Sequence, residues 1–360
     1  SPYISGSTVI PGAMPSWDNE ARRPGRGNVM HGSTPSLFRE WLDRCFIAAT
    51  KNAVNSCPFV FINAWNEWAE AAYLEPDRFF GYAYLAAVAS CIQSHTALDP
   101  AVEEWVATHN ARCRRSARSI CIAHLYYPDL LEEMLEQLRQ LSDMDVYVTV
   151  PQFWTERQLV AIAEKAPNAR IFRCPNVGRD VWPFLVALSH ASAAGYEFVC
   201  KVHTKKSPHL SNGDAWRRSL LEDLLHPARV IEATKQFDQR RSLGMLAPAK
   251  ALMPINEEAT LLHNRDRVEG FLNKWSYSGA MDFSFPAGSM FWARLSALQP
   301  LLDLGLTERD FEHELGQIDG TTAHAIERCF GISAIVAGYK VESLDQVSGF
   351  NPYAKKNSVA

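Results

Sequence analysis

Between residues 119 and 204, short apolar segments alternate with amphipathic ones, and this alternation restricts the fold more than any other feature of the sequence. The apolar segments, rich in β-branched and aromatic residues, lie at 119–127, 145–151, 169–176 and 196–204 and predict strands. The intervening segments, 128–142, 156–166 and 181–195, carry apolar residues at helical spacing. Strands alternating with helices of this length imply right-handed crossovers and a largely parallel sheet, with ligands beyond the carboxyl ends of its strands.

The composition limits the partners of the chain. Its 360 residues, 47% of them hydrophobic, are enough for two domains. The formal charge of -4 gives no overall positive field, so we expect no nucleic acid partner, and any anion site must be local. The eight cysteines show no CxxC motif and no Cys/His ligand spacing, which predicts a reducing, cytoplasmic environment and no metal site.

No segment predicts a membrane span. The most apolar helical stretch, 79–92, is shorter than the roughly 20 residues that a span needs, and no basic segment opens the chain as in a signal peptide. We therefore expect any membrane association to be peripheral, at the inner face of the cell membrane. The chain begins at Ser1 rather than Met, which suggests missing N-terminal sequence, and residues 346–360 are expected to form a tail.

Residues 1–95 predict two βα units: 8–18 is a short strand that leads into a Pro/Trp/Asp loop, 58–65 is a second strand, and 34–54 and 79–95 are helices. The segment "FVFINAWNEWAEAAYLEPD" (59–77) places Glu67 and Glu70 among aromatic residues just past the second strand. Paired carboxylates there can act as acid and base on a glycosidic bond, and aromatic rings can support sugar faces. Alternatively, the two acids begin the following helix and favour its positive N-terminus.

Three loops after strands of the second α/β region concentrate polar residues, and we predict that they bind a phosphorylated ligand. In 174–185, Asn176 and Gly178 suit a tight turn, Arg179 can grip a phosphate and Asp180 can cap the next helix. The other predicted donor-binding residues are Lys201, His203, Lys205, Lys206, Gly288 and Ser289. The alternatives are a helix cap with a solvated arginine, and a solvated basic loop.

Strand alternation puts Lys201 and His203 on one face of their strand, which must therefore meet polar groups. Asp319 precedes a predicted helix that carries His324 and Glu327, and it is a candidate catalytic base, with Asp180 as its competitor and Glu327 as a third acid. A helix-capping role is the alternative for Asp319. Phe291 and Trp292 either stack on a ligand or belong to the core.

The acidic loop and the second region each resemble a known family. The segment "WNEWAEAAYLEPD" resembles the active-site segment of the WbsX family, a glycoside hydrolase family 99-like domain of which residues 1–95 would be the C-terminal end. That resemblance implies that Glu67 and Glu70 match the two active-site glutamates, although Ala71 stands where glycine is usual. The blocks "HLYYPDLLEEML", "CPNVGRDVWPFL", "FPAGSMFWAR" and "IDGTTAHAIER" resemble the rhamnan synthesis protein F family over residues 118–345.

These resemblances imply the end of a (β/α)8-like barrel (1–95), a connector (96–117) and a Rossmann-like, GT-A-like nucleotide-sugar glycosyltransferase domain (118–345). The implied activity is transfer of a sugar, rhamnose from dTDP-L-rhamnose, to a lipid-linked cell-envelope polysaccharide such as rhamnan or O-antigen. The strand ending in "KVHTKKS" has no Asp-x-Asp motif, so we expect no divalent metal and no other cofactor. The alternatives are a non-catalytic carbohydrate-binding or scaffold protein and a glycoside hydrolase acting through Glu67 and Glu70.

Overall fold

The computed structural model describes residues 9–51, 53, 57–96, 98–204, 206, 213–255, 258–279 and 283–344. These residues form two compact units. The first comprises the described residues up to 96 together with 313–318, and the second comprises 98–312 and 319–344. Within the described residues, no helix is long and apolar enough to cross a membrane.

The first unit contains short strands and two long helices: β1 (Gly12–Ala13), α1 (Pro35–Lys51), β2 (Phe61–Ile62), β3 (Asn66–Glu67), β4 (Ala72–Tyr73) and α2 (Ala83–His95). Strands β1 and β2 pair in parallel, as two consecutive βα units require. Helices α1 and α2 share an apolar core that includes Phe38, Leu42 and Ala87. The described residues of this unit do not form a closed barrel.

Glu67 and Glu70 do not begin a helix, so that interpretation of the sequence is wrong. Glu67 lies in β3 and Glu70 in a single 3-10 turn, whereas α2 begins only at Ala83. The β3–β4 hairpin separates the acids from the helix because Ala71 adopts a left-handed conformation, with φ 51°, and ends the 3-10 turn.

The second unit alternates single strands with single helices up to residue 203, and beyond it helices and strands occur in consecutive pairs: α3 (Pro100–Arg112), β5 (Ser119–His124), α4 (Leu131–Arg139), β6 (Asp145–Pro151), α5 (Glu156–Lys165), β7 (Arg170–Cys174), α6 (Val181–Ala193), β8 (Phe198–His203), α7 (Gly213–Leu225), α8 (Pro227–Gln239), β9 (Leu243–Pro248), β10 (Leu252–Pro254), α9 (Glu258–Leu261), α10 (Arg265–Lys274), β11 (Ser284–Pro286), β12 (Phe291–Arg294), α11 (Gln299–Asp303), α12 (Thr322–Val336) and β13 (Lys340–Leu344). The strands and helices predicted between 119 and 204 are confirmed, with ends that differ by a few residues.

Seven of these strands form one sheet in the order β13-β9-β12-β8-β5-β6-β7. All neighbouring pairs are parallel except those of β12, which runs antiparallel to both β8 and β9. The predicted, largely parallel sheet is therefore confirmed. Because β12 is reversed, the turn before it lies at the same edge as the carboxyl ends of β5 and β8, where Phe291 pairs with Lys201.

Helices cover both faces of the sheet. The core on one face contains residues of α6, α10 and α12, and the core on the other contains residues of α4, α5, α7 and α8. Each helix contributes an apolar stripe, as in α4, where Leu131, Met134, Leu135 and Leu138 are buried. Phe291 and Trp292 are fully buried in these cores, which confirms the core alternative and excludes ligand stacking.

Candidate active site

The strand order of the sheet reverses between β5 and β8. The chain runs outward from β5 through β6 to β7 and then returns to β8 on the other side of β5, which makes this the switch point of the sheet. At such a point the loops after the two central strands diverge and leave room for a ligand. His124 and His203 are paired residues at the ends of the two strands.

Lys201 is the centre of a buried polar cluster at this edge. Its ammonium group donates to the Asp180 carboxylate, to the Ser289 carbonyl at 2.8 Å and to the Ser289 hydroxyl. The Ser289 hydroxyl in turn donates to Asp180. The side chain of Lys201 is only 1% exposed, because β8 is a central strand covered on this face by α6 and α12.

The prediction that Lys201 and His203 share one face is confirmed, since both contact the loop before β12, whereas Val202 lies in the opposite core. Both side chains are buried, which conflicts with the prediction that they donate hydrogen bonds to a phosphate. Lys201 already uses its donors on Asp180 and Ser289, so a phosphate would have to displace a buried ion pair to reach it. We therefore interpret Lys201 as a residue that positions the site.

The loop before β12 is a tight turn held by this cluster. The Ser289 N–H donates to the Pro286 carbonyl at 2.8 Å, and Gly288 has φ 86°, as the third position of a type II turn requires. His203 Nε2 lies 2.9 Å from the Gly288 carbonyl, and Lys201 binds the Ser289 carbonyl. The predicted turn at Gly288 and Ser289 is confirmed, and its carbonyls are directed at β8.

A second set of charged residues continues from the turn into α12. The Gly288 N–H donates to Glu327 at 2.6 Å, Arg328 donates to the other oxygen of Glu327 at 3.0 Å, and Arg328 lies 3.5 Å from Asp319. Asp180, Glu327 and Asp319, the three predicted catalytic acids, thus belong to one connected network around the turn.

Asp319 and Asp180 each have a structural function that differs from helix capping. Asp319 accepts from the His263 N–H at 3.1 Å and from the Asn264 amide at 2.7 Å, while the cap of α12 is Thr321. Asp180 is the residue before α6, but its carboxylate makes no capping bond and turns to Lys201 instead. The capping interpretation is therefore wrong for both side chains.

The residues before α6 form the predicted tight turn. Gly178 and Arg179 both have positive φ, 64° and 54°, and the N–H groups of Val181 and Trp182 donate to the Gly178 carbonyl. A Cβ at position 178 would lie 2.5 Å from the Phe311 ring, so only glycine fits. The turn directs Asp180 into the cluster, and Asn176 lies half-buried at its beginning.

The ionisation of the cluster follows from burial and charge. Burial by itself would raise the pKa of Asp180, but the positive potential of His203 and Lys201 outweighs it and holds that pKa well below its usual value. Burial lowers the pKa of His124 to about 3, although Asp180 opposes the shift. Burial lowers the pKa of His324 to about 4, and Arg179 adds to the shift. The two histidines are therefore neutral at pH 7, and Asp180 is ionised.

Aromatic residues at the switch point were missed by reasoning from residue chemistry. Tyr126 and Tyr127 are half-buried after β5, with ring centroids 5.0 Å apart, and Phe153 lies 6.1 Å from Tyr126. The Thr204 hydroxyl accepts from the N–H groups of both tyrosines, at 2.8 and 3.3 Å, so β8 fixes the loop. The predicted strand 119–127 includes both tyrosines, whereas β5 ends at His124 and leaves them in the loop that follows.

The basic loop after β8 is described only in part. Lys205 lies outside the described residues. Lys206 forms an ion pair with Asp129 and lies 4.9 Å from the centroid of the Tyr127 ring, with 37% of its side chain exposed. Lys206 is therefore at the switch point and accessible to a ligand.

Glu67 and Glu70 lie together in the first unit, as expected from their spacing. Arg22 contacts both carboxylates, at 3.3 and 3.2 Å, and more than half of its side chain is exposed. Trp68 stacks on Tyr73, with ring centroids 3.7 Å apart, and donates to Glu75 at 2.6 Å. The acids therefore form a surface ion-pair network beside an aromatic stack.

Two family models match the chain in the order expected. Residues 88–339 match rhamnan synthesis protein F, and residues 2–88 match Glycosyltransferase WbsX. The fold and the contacts at its edge together define an α/β protein with a buried polar cluster at the carboxyl edge of its sheet. The longer match covers more than half of the sequence, and the chain belongs to the rhamnan synthesis protein F family.

The chain is also similar to curated proteins of Xanthomonas campestris pv. campestris. The uncharacterized protein WxcX of strain B100 and that of strain ATCC 33913 are each 38% identical over 345 residues. The alignment covers 95% of this chain and 48% of each relative, so the chain spans about half the length of the curated relatives it matches.

Proposed function

We propose that this chain is a nucleotide-sugar-dependent glycosyltransferase of polysaccharide assembly that transfers rhamnose from dTDP-L-rhamnose to a lipid-linked acceptor. Two matched families, one named for rhamnan synthesis and one as a glycosyltransferase, support the class of reaction. A lipid-linked acceptor would bring the protein to the inner face of the membrane, which is the basis for proposing peripheral association there.

The single observation that carries the proposal is the arrangement of the sheet edge. The parallel strands β5–β8 supply a switch-point crevice, and the reversed β12 adds a turn that is tied to β8 by Lys201 and His203. A crevice beyond parallel strands, closed on one side by the turn before an antiparallel strand, supports a GT-A-like fold. We propose that the nucleoside diphosphate binds in this crevice.

The roles within the crevice follow from chemistry. Tyr126, Tyr127 and Phe153 offer ring faces on which the nucleobase can stack. Arg179, with Lys206 and Lys205, would stabilise the negative charge that develops on the departing diphosphate. Cationic stabilisation of this kind replaces a metal ion, so transfer is proposed to be independent of divalent metal.

The contacts of the three carboxylates in the network support a metal-free reaction. Among the described residues, the carboxylates of Asp180, Asp319 and Glu327 each contact a lysine or an arginine. A divalent ion at any of them would have to displace a cation that is already bound.

We propose Glu327 as the base that deprotonates the acceptor hydroxyl. Burial alone would raise the pKa of Asp319, but bonds from Asn264 and His263 lower it, and the pKa of Asp180 is lowered as well. A depressed pKa makes a carboxylate a weak proton acceptor. Glu327 shares the network and has the most exposed side chain of the three acids, at 19% against 17% for Asp180 and 10% for Asp319.

The test is a donor screen by mass spectrometry on the full-length gene product, with and without EDTA. We expect transfer from dTDP-L-rhamnose that survives EDTA, is lost in Glu327→Gln and persists in Glu67→Gln. Activity that disappears on chelation and returns with Mn²⁺ would overturn the metal-free mechanism. Release of free sugar from an oligosaccharide, abolished by Glu70→Gln, would instead support a hydrolase, and sugar binding without turnover would support a scaffold.

A further inference from the structure

Two neighbouring helices of the first unit bring together three potential metal ligands. Cys91 and His95 lie one turn apart on α2, and Asp43 lies on α1. Their ligand atoms all lie within 4.8 Å of one another, and His95 Nε2 is 2.8 Å from Asp43 Oδ1. The prediction that the cysteines show no Cys/His ligand spacing is therefore wrong, because Cys91-x3-His95 is such a spacing on a helix.

We propose that Asp43, Cys91 and His95 form a binding site for a divalent transition metal of the zinc type. Thiolate, imidazole and carboxylate are the three ligand classes that zinc accepts. Zinc–ligand bonds of roughly 2.0–2.3 Å bring tetrahedral ligand atoms closer than 4.8 Å, so small side-chain rotations complete the geometry. Asp43 and His95 are partly exposed, which leaves a fourth position open to water.

The Cys91 thiol lies in the core of the first unit. Cys91 is fully buried, and burial raises its pKa to about 11, partly opposed by the positive charge of Arg39. Arg39 is itself buried and donates to Ser90 and Ser94, which flank Cys91 on α2. Burial outweighs the effect of Arg39, so the thiol is protonated without a metal and its proton must leave when a metal binds.

Binding follows a balanced exchange. The Cys91 S–H bond breaks, a sulfur–metal bond forms, and one proton passes to the buffer; no electron is transferred. His95 binds as the neutral imidazole and Asp43 as the carboxylate. Because the ligands come from two helices, the metal would link α1 to α2 and stabilise the first unit.

The experiment uses Co²⁺ as a spectroscopic probe on the full chain, purified without a polyhistidine tag. We expect one equivalent of Co²⁺ to give an intense near-ultraviolet sulfur-to-cobalt band together with visible bands of a four-coordinate ion, all displaced by Zn²⁺. Cys91→Ser should abolish the sulfur band, and His95→Gln should weaken the affinity by more than about 10-fold.

A second Cys/His pair provides the matched control. His109 and Cys113 are also four residues apart, with Nε2 and Sγ at 3.8 Å, but His109 Nε2 lies 2.9 Å from the Ala169 carbonyl and no third ligand joins them among the described residues. Cys113→Ser should leave the cobalt spectrum unchanged. A sulfur band that persists in Cys91→Ser, or is lost in Cys113→Ser, would overturn the assignment.

Two further readouts keep the proposal testable if Cys91→Ser folds poorly. In the wild-type chain, Zn²⁺ should raise the midpoint of thermal unfolding, and Asp43→Asn should reduce that rise. Calorimetry in buffers of different ionisation enthalpy should detect the proton released by Cys91. Absence of both the midpoint shift and the proton release at micromolar to millimolar Zn²⁺ would refute the site. None of these readouts depends on sugar transfer.

Discussion

Two groups of carboxylates, one in each unit, are held by cations in opposite environments. In the first unit, Glu67 and Glu70 share Arg22 on the surface. In the second, Asp180 meets Lys201 in the interior. Surface ion pairs contribute about 0–1 kcal/mol, whereas removing one partner of a buried pair costs about 3–5 kcal/mol. The first arrangement can rearrange around a ligand, while the second fixes the shape of a loop.

The largest expected effect is the replacement of the buried cation. Lys201→Met should lower the free energy of unfolding by about 3–5 kcal/mol, because it removes the lysine partner of Asp180 and leaves this carboxylate, among the described residues, only the Ser289 hydroxyl and His203, at 3.8 Å. Urea titrations measure this change. The double variant Lys201→Met/Asp180→Asn should recover much of the loss, and Arg22→Met in the first unit should cost less than about 1 kcal/mol. Equal losses in Lys201→Met and Arg22→Met would abolish the contrast between the two groups.

The buried histidines of the second unit predict a pH dependence. The folded pKa of His324 is lowered to about 4, so its contribution to stability is complete above its ordinary pKa of 6.5 and is lost as the pH falls towards 4. The difference between a pKa of 6.5 and one of about 4 corresponds to about 3 kcal/mol of unfolding free energy. Unfolding titrations at pH 7.5, 6 and 5 should show a flatter profile for His324→Gln. The exposed His31→Gln should keep the wild-type profile, and a parallel His324→Gln profile would disprove the assignment.

The exposed cations of the two units should differ in anion binding. Replacing Lys205 and Lys206 together by alanine should weaken dTDP binding by about 1–3 kcal/mol, the scale of lost charge-assisted bonds. Isothermal calorimetry measures the affinity. Arg22→Ala, which removes a surface cation of the first unit, should leave it unchanged. Unchanged binding in the double lysine variant would mean that the loop after β8 is a solvated surface.

The smallest expected effect concerns the backbone of the acidic loop in the first unit. Ala71 has φ 51°, which costs an L-residue about 1–2 kcal/mol, so Ala71→Gly should stabilise the chain by up to about 1 kcal/mol after the entropy of glycine is included. Thermal unfolding measures it. The same substitution at Ala86, inside α2, should destabilise by about 1 kcal/mol. Destabilisation at both positions would contradict the left-handed assignment.

Much of the sheet could be predicted from the sequence because the apolar pattern of each strand and helix is visible within a short segment. The segment 145–151 forms β6 with the predicted ends. Both faces of this strand are buried, so nearly all its residues are apolar and the segment is recognisable in the sequence. The candidate site could be predicted only as separate loops. The burial of Lys201 depends on α12 as well as on α6, and α12 comes from the far end of the chain to cover β8.

Other contacts had no local signal. The bond between the Gly288 N–H and Glu327 joins residues 39 positions apart, and nothing in either segment specifies the other. Asp43 likewise meets His95 only after α1 packs on α2. The spacing of Cys91 and His95, in contrast, was readable from one helix and was overlooked.

The reversed direction of β12 has a consequence for engineering the proposed donor site. In a fully parallel sheet, a designer would randomise only the segments that follow strands. Here the turn 286–289 precedes its strand, yet lies at the same edge. A library restricted to segments that follow strands would leave this wall of the crevice untouched. A library that includes it must keep Gly288 and a hydroxyl at position 289, since the φ of one and the bond of the other to Asp180 hold the wall in place.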